Sequence, residues 1–299
     1  VVLCIFIRSL FSFLFLLFSV FVNYRHIFHA GNFADVFKHV VLSLLLKSLA
    51  RKDAPFCYLD THAGAGRYDL SSAAAQKTGE YRDGIKRLWN DQPMPELADY
   101  LAAVRALNDG QTLRYYPGSP RVARFFLRPQ DRAVLLELQP QECTQLKAEF
   151  AGDRQVLVQG QDGYAGLKAF LPPKERRGLV LIDPPYESDR EFEQVIEGLR
   201  MAHARWDSGM YALWYPIKSR PPVERFHRML VATGISKILL AEFSPYPEDS
   251  AFRLNGCGMV VINPPWKLDE TLHSVLPALL KQLRQHPAGH STLTWLVPE

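Results

Sequence analysis

Cysteine is scarce and scattered: Cys4, Cys57, Cys143 and Cys257 are the only four in 299 residues, and no two form a C-x-x-C pair. Neither a disulfide framework nor a thiolate metal site is indicated, and a reducing cytoplasm is the natural setting. Charge imbalance is also slight, +4 from 35 basic and 31 acidic residues, which is too little to identify a nucleic-acid partner by itself. Histidines 26, 29, 39 and 62 have no spaced carboxylate or cysteine companions, and His26-x-x-His29 is not the H-x-x-x-H of helical zinc sites. No metal is expected.

The apolar content is 47%, which suits one α/β domain of moderate size carrying an inserted subdomain better than two independent domains. Residues 23 to 52 are locally basic, with Arg25, Lys38, Lys47, Arg51 and Lys52 against Asp35. Residues 1–22 are different, because Arg8 is their only charge and the run could make about one membrane span. The chain starts with Val and this stretch is Phe-rich and of low complexity. It is therefore expected to be an apolar extension outside the native fold rather than a signal anchor.

Four apolar runs end on acids. Leu179-Val180-Leu181-Ile182 reads as a strand buried on both faces, and it stops on Asp183-Pro184-Pro185-Tyr186, since proline has no N–H for a ladder. Phe56-Cys57-Tyr58-Leu59-Asp60 runs into Thr61-His62-Ala63-Gly64-Ala65-Gly66, where small residues permit a sharp turn and close approach to a ligand. Ala133-Val134-Leu135-Leu136 ends on Glu137, placed to bind the two hydroxyls of a ribose, and Val156-Leu157-Val158-Gln159 leads to Asp162-Gly163, where a short polar side chain could bond an adenine. In open α/β sheets ligands bind at this carboxyl rim. A carboxylate beside an aromatic ring, as in Asp183 and Tyr186, suits a planar base with an exocyclic amine.

In that order, Asp60-x-x-Ala-Gly-Ala-Gly66, Glu137, Asp162-Gly163 and Asp183-Pro-Pro-Tyr186 resemble the S-adenosylmethionine-dependent adenine-N6 methyltransferases. Tyr24-Arg25-His26-x-x-His29-Ala30-Gly31-Asn32-x-x-Asp35-Val36-x-Lys38-His39 and Arg114-Tyr115-Tyr116-Pro117-Gly118-Ser119-Pro120 are similar to the RlmJ type, named for adenine-2030 of 23S ribosomal RNA. The resemblance runs from about residue 23 to the C-terminus. It implies a Rossmann-like, mostly parallel sheet of about seven strands. It also implies that His39, His62, Gly64, Gly66, Ser119, Glu137, Asp162, Gly163 and Asp183 meet the cofactor. Tyr24, Arg25, His26 and Lys38 then lie on the substrate side, with 23S ribosomal RNA as partner and a monomer as the expected state.

A minimal βαβ unit places the ribose acid about 20 residues beyond the glycine turn, yet Glu137 lies 71 positions after Gly66. Leu97, Tyr100, Leu101, Val104 and Leu107, and likewise Tyr81, Ile85, Leu88 and Trp89, repeat at helical spacing. Residues 67–116 are therefore expected to form an inserted helical subdomain, with 23–66 and 117–299 as the Rossmann-like methyltransferase domain. Lys77, Arg82, Lys86, Arg87 and Arg105 would be basic faces of the insert, either solvated or touching RNA.

A second proline pair, Asn263-Pro264-Pro265-Trp266, also fits the amino-methyltransferase pattern. Strand order favours Asp183, because the fourth strand after the glycine turn neighbours the first, whereas Asn263 arrives later and nearer the far edge as a structural turn. The expected chemistry is alignment. The Asp183 carboxylate and the Pro184 carbonyl accept the N6 hydrogens, Tyr186 stacks on the base, and Asp183 takes the proton. A DNA adenine methyltransferase would share the loop, but no helix-turn-helix is evident. A protein-amide methyltransferase is nearer to Asn-Pro-Pro. A nicotinamide oxidoreductase would need G-x-G-x-x-G, which Arg67-Tyr68-Asp69 after Gly66 does not supply. A non-catalytic RNA-binding module would leave the acid rim without a purpose.

Overall fold

The computed structural model describes residues 24–89, 95–188, 190–248, 250 and 254–299, and the extension at 1–22 lies outside them. The strands in chain order are β1 (Cys57–Asp60), β2 (Arg67–Asp69), β3 (Tyr115–Pro117), β4 (Arg132–Leu136), β5 (Val156–Gln159), β6 (Gly178–Ile182), β7 (Met210–Ile217), β8 (Ile238–Ser244), β9 (Gly256–Ile262) and β10 (His290–Val297). The helices are α1 (Phe33–Ala50), α2 (Ala73–Thr78), α3 (Ile85–Trp89), α4 (Ala98–Arg105), α5 (Ser119–Phe126), α6 (Pro140–Glu149), α7 (Gly163–Phe170), α8 (Glu191–Arg205), α9 (Arg220–Val231) and α10 (Leu268–Leu283).

The main sheet has the order β10-β8-β9-β7-β6-β1-β4-β5. From β5 to β7 all pairings are parallel, so the four acid-terminated strands end on one rim, with β1 held between β4 and β6. Side chains alternate across the pleat. Tyr58, Leu135, Leu179 and Leu181 join one apolar cluster with α1, α5 and α10, while Leu59, Val134, Val180 and Ile182 join the other with α7, α8 and α9. Covering both faces explains why β6 reads as an unbroken aliphatic run rather than an alternating one.

Two features depart from expectation. The sheet has eight strands, because β10 pairs antiparallel with the edge of β8. Also, β9 lies between β7 and β8 and runs antiparallel to both. Asn263 is therefore displaced from the acid rim by strand direction rather than by distance toward an edge. Its φ of +52° turns the chain, and its amide donates to Asp207 O (2.7 Å) and Gly209 O (2.8 Å) just before β7.

The chain leaves the sheet at Gly66 and returns at Gly118, whose N–H donates to Gly66 O at 2.9 Å. Between them β2 and β3 form a short antiparallel ribbon, and α2, α3 and α4 lie in the excursion. Ile85, Leu88, Leu97, Tyr100, Leu101 and Val104 are buried in the same cluster as α1. Helix α1 is thus covered on one side by the sheet and on the other by this segment, which is why even its Lys38 and His39 are buried. Lys77, Arg82, Lys86 and Arg105 are exposed, whereas Arg87 pairs with Asp83 at 3.0 Å.

Candidate active site

At the end of β6, Asp183 is 13% exposed and its Oδ2 accepts from Lys38 Nζ at 2.6 Å. Lys38 Nζ is also 3.0 Å from Asp35 Oδ1, one helical turn away on α1. Asp35 Oδ2 in turn accepts from His26 Nε2 (2.7 Å) and from Gly31 N–H (2.9 Å). With Nε2 donating, His26 Nδ1 is left to accept from the Tyr24 hydroxyl at 2.8 Å. One continuous polar chain therefore joins Tyr24, His26, Asp35, Lys38 and Asp183.

Its two carboxylates share the one lysine ammonium. Burial opposes the Lys38 ammonium, but the Asp183 and Asp35 carboxylates reverse that and hold its pKa above the ordinary lysine value. Burial likewise opposes ionised Asp35, yet His26 and Lys38 keep its pKa well below the carboxylate range. The Tyr24 phenol is pushed up by burial and by Asp35, so it stays protonated. Arg25 is exposed and its guanidinium lies 6.0 Å from the Phe28 ring.

Beside this chain, Asp60 at the end of β1 is fully buried and accepts on Oδ2 from Tyr58 OH and Ser119 Oγ, both at 2.7 Å. Burial lifts its pKa to about 6 against those two donors. Ser119 thus begins α5 by fastening it to β1. His39 Nδ1 lies 2.9 Å from Tyr116 OH, which meets Tyr100 OH at 3.1 Å, and His39 Nε2 is buried without a partner. Burial and the neighbouring Lys38 lower the His39 pKa to about 3, so the ring is neutral. Burial lowers His62 to about 4, and its ring meets Tyr164 edge-on at 5.5 Å.

Glu137 reaches back from β4 to the glycine turn, where Oε2 accepts from Gly64 N–H (2.8 Å) and Oε1 from Gln139 N–H (2.7 Å). Burial raises its pKa despite these bonds. Asp162 caps α7 by accepting from Ala165 N–H at 2.8 Å. Gly163 is required by packing, because a Cβ there would stand 2.2 Å from Thr61 O. After Gly66 the chain enters β2 and not a helix, so the turn lacks the helix N-terminus that a dinucleotide pyrophosphate uses. The acids at the ends of β4 and β5 could receive the hydroxyls of a ribose and the amine of an adenine, and the His39 Nε2 atom is a further buried polar group left without a partner.

Tyr186 is turned inward. Its φ is +49°, its hydroxyl donates to Trp214 O at 2.8 Å, its ring packs 5.0 Å from Phe192, and it is 9% exposed. Lys38 does not face solvent, being 5% exposed with its ammonium committed to the Asp35 and Asp183 carboxylates. Asp35 and Trp214, whose ring lies 5.9 Å from Lys38 Nζ, were not among the expected site residues. The i,i+3 spacing of Asp35 and Lys38 was the available signal for the first; nothing in the sequence marked the second. Among the described residues no group of three or more His, Cys, Asp or Glu is placed to hold a metal, and no helix is long and apolar enough to cross a membrane.

Comparison with known proteins agrees with this geometry. A family model described as ribosomal RNA large subunit methyltransferase D, RlmJ, matches residues 53–297. Ribosomal RNA large subunit methyltransferase J of Escherichia coli is 49% identical over 279 residues, covering 93% of this chain and 100% of that protein. The Haemophilus influenzae protein of the same name is 47% identical over 280 residues, with 93% and 100% coverage. Among solved structures, protein LPL1258 of Legionella pneumophila superposes with a TM-score of 0.83 at 36% identity, covering 89% of this chain and 98% of that one. By the family model and these two relatives, the chain belongs to the RlmJ family of ribosomal RNA large subunit methyltransferases.

Proposed function

We propose that this protein transfers the methyl group of S-adenosylmethionine to the N6 nitrogen of an adenine in 23S ribosomal RNA, adenine-2030 in the family's naming. One observation carries the reading. Asp183 ends the strand beside β1 and its glycine turn, and one of its oxygens is already held by Lys38. The other oxygen has no partner among the described residues and is the acceptor for an exocyclic amine.

S-adenosylmethionine, when bound, supplies an electrophilic methyl on a sulfonium. Glu137 would accept from ribose hydroxyls with the lone pairs not used by Gly64 and Gln139, and Asp162 from the adenine amine with the oxygen not capping α7. Gly64 and Gly66 shape the turn, Ser119 steadies Asp60, and His62 with Gly163 walls the adenine side. His39 Nε2 offers a buried polar contact to the same ligand.

On the substrate side, Asp183 and the Pro184 carbonyl accept the two N6 hydrogens, which localises the nitrogen lone pair for in-line attack. Asp183 then takes the released proton while Lys38 fixes its orientation. Stacking of Tyr186 on the base requires the loop after Asp183 to bare its ring. Tyr24 and His26 close over the base, and Arg25 meets phosphate. The adenine enters unpaired or flipped. The enzyme is expected to act as a cytoplasmic monomer on ribosomal RNA.

The test is methylation of large-subunit RNA fragments by purified protein, with N6-methyladenine read by mass spectrometry and cofactor binding by calorimetry. Faster methylation of duplex DNA would favour the DNA enzyme. RNA binding without turnover would leave a non-catalytic module, and tight NAD binding without response to S-adenosylmethionine would remove the methyltransferase reading.

A further inference from the structure

The arm of residues 24–32, which carries Tyr24 and His26, is gripped by the excursion between Gly66 and Gly118. Glu80 is the centre of the grip. Its two oxygens lie 3.0 Å from His29 Nδ1, and Oε2 also accepts from Asn32 Nδ2 at 3.0 Å. Asn32 is the N-cap of α1, the helix that bears Asp35 and Lys38. The His29 ring, so fixed, lies nearly parallel to the Tyr24 ring, with centroids 5.6 Å apart and planes at 11°.

Neighbouring contacts leave the arm little freedom. Thr78 Oγ1 donates to Phe28 O, and Ile85 N–H donates to Gly31 O at 2.9 Å. Gly31 turns the chain at φ +77°, and Gly84 presses so close that a Cβ there would sit 2.0 Å from Gly31 O. Between them these contacts hold Phe28, His29, Gly31 and Asn32. Of these residues only His29 reaches Tyr24, through its ring, while His26 meets the Tyr68 ring of the same excursion at 5.0 Å.

We propose that Glu80 is a positioning residue for methyl transfer, holding His29 flat against Tyr24 so that the Tyr24–His26–Asp35 chain meets Lys38 and Asp183 in register. The assignment rests on the methyltransferase reading above. A half-exposed pair such as Glu80 and His29, with side chains 37% and 42% accessible, contributes little to stability. Its effect is on orientation, where small misplacements of reacting groups cost large factors in rate. The inserted segment then has a role inside the active site that is separate from any contact with RNA.

The experiment uses the full-length protein with Glu80→Ala and Glu80→Gln. Methyl transfer to a large-subunit RNA fragment, S-adenosylmethionine affinity, melting temperature and hydrogen exchange of residues 24–32 are measured for each. Glu80→Ala should lower kcat by about tenfold, with cofactor affinity and melting temperature near wild type and exchange accelerated across 24–32 alone. Glu80→Gln keeps an acceptor for Asn32 and a polar partner for His29, and should recover most of the rate and the protection. A kcat for Glu80→Ala near the wild-type value overturns the proposal. So does a Gln variant as slow as the Ala variant, unchanged exchange in 24–32, or faster exchange spread through the core. If wild-type protein methylates no RNA while exchange in 24–32 still responds to Glu80→Ala, the functional reading fails and the grip on the arm stands.

Discussion

Lys38 Nζ lies 2.6 Å from Asp183 Oδ2 and so ties the second turn of α1 to the end of β6 across 145 residues of sequence. The same ammonium serves Asp35, which makes the two ends of the bridge unequal. Lys38→Met leaves Asp183 without a partner and Asp35 with only His26 and Gly31, whereas Asp183→Ala leaves Lys38 with Asp35. The lysine change should cost on the order of 3–5 kcal/mol and the aspartate change clearly less, while both abolish methyl transfer. Urea denaturation with a single-turnover assay measures this. A larger loss for Asp183→Ala would mean that Asp35 does not compensate the lysine.

The second proline pair should affect stability and not chemistry. Asn263→Ala removes two bonds to the turn before β7 and should cost about 1–3 kcal/mol, with kcat close to wild type wherever the protein is folded. Asn263→Gly, compatible with φ +52°, should cost less. An inactive but folded Asn263→Ala would make that turn the catalytic one.

His39 gives stability a pH dependence of known sign. Its folded pKa, about 3, lies below the ordinary value near 6.5, so the unfolded chain binds the proton more tightly. The contribution is complete above about pH 6.5 and is lost as pH falls toward 3. Asp60, raised to about 6, acts in the opposite direction, its ionisation costing stability as pH rises from about 4 toward that value. His39→Gln should therefore lose less stability than wild type between pH 7 and pH 5, by about 2 kcal/mol. Calorimetric melting at the two pH values checks it, and parallel curves would count against a neutral buried ring.

Arg25 and Lys38 should separate in salt titrations of RNA binding. Arg25 is exposed, and Arg25→Gln should reduce the slope of log K against log salt by about 0.7 to 0.9, one phosphate contact. Lys38→Gln should leave the slope unchanged while stopping turnover, because its charge is spent on carboxylates. Equal slopes for Arg25→Gln and wild type would remove Arg25 from the RNA surface.

The acid-terminated strands were legible because a run such as Leu179 to Ile182, bounded by Asp183-Pro184, has little alternative to a buried strand, and its three companions inherit one direction from parallel pairing. The helices at 85–89 and 98–105 were legible from their apolar spacing. The ribbon of β2 and β3 was not, since three-residue strands are too short to display alternation. Strand β10 escaped notice because its exposure pattern is irregular. Trp214 and Glu80 could not be read at all, because their importance lies in contacts to residues distant in sequence, and a single chain records no such pairing.

The central placement of β1 has a consequence for the order of assembly. Its two neighbours, β4 and β6, begin at residues 132 and 178, so its ladder closes only when segments far apart in the chain have come together. By contrast β8 and β9 are consecutive and antiparallel, and such local pairing forms quickly while distant parallel pairing is slow. When the complete chain refolds, the β8–β9 hairpin is thus the natural first nucleus, and the rim of Asp60, Glu137, Asp162 and Asp183 is completed last. A ligand spanning that rim bridges the latest contacts to form, and at one hundred times its dissociation constant it would add about 2.7 kcal/mol to their persistence. Saturation with cofactor would then slow the unraveling of β1 from its neighbours more than that of the β8–β9 hairpin.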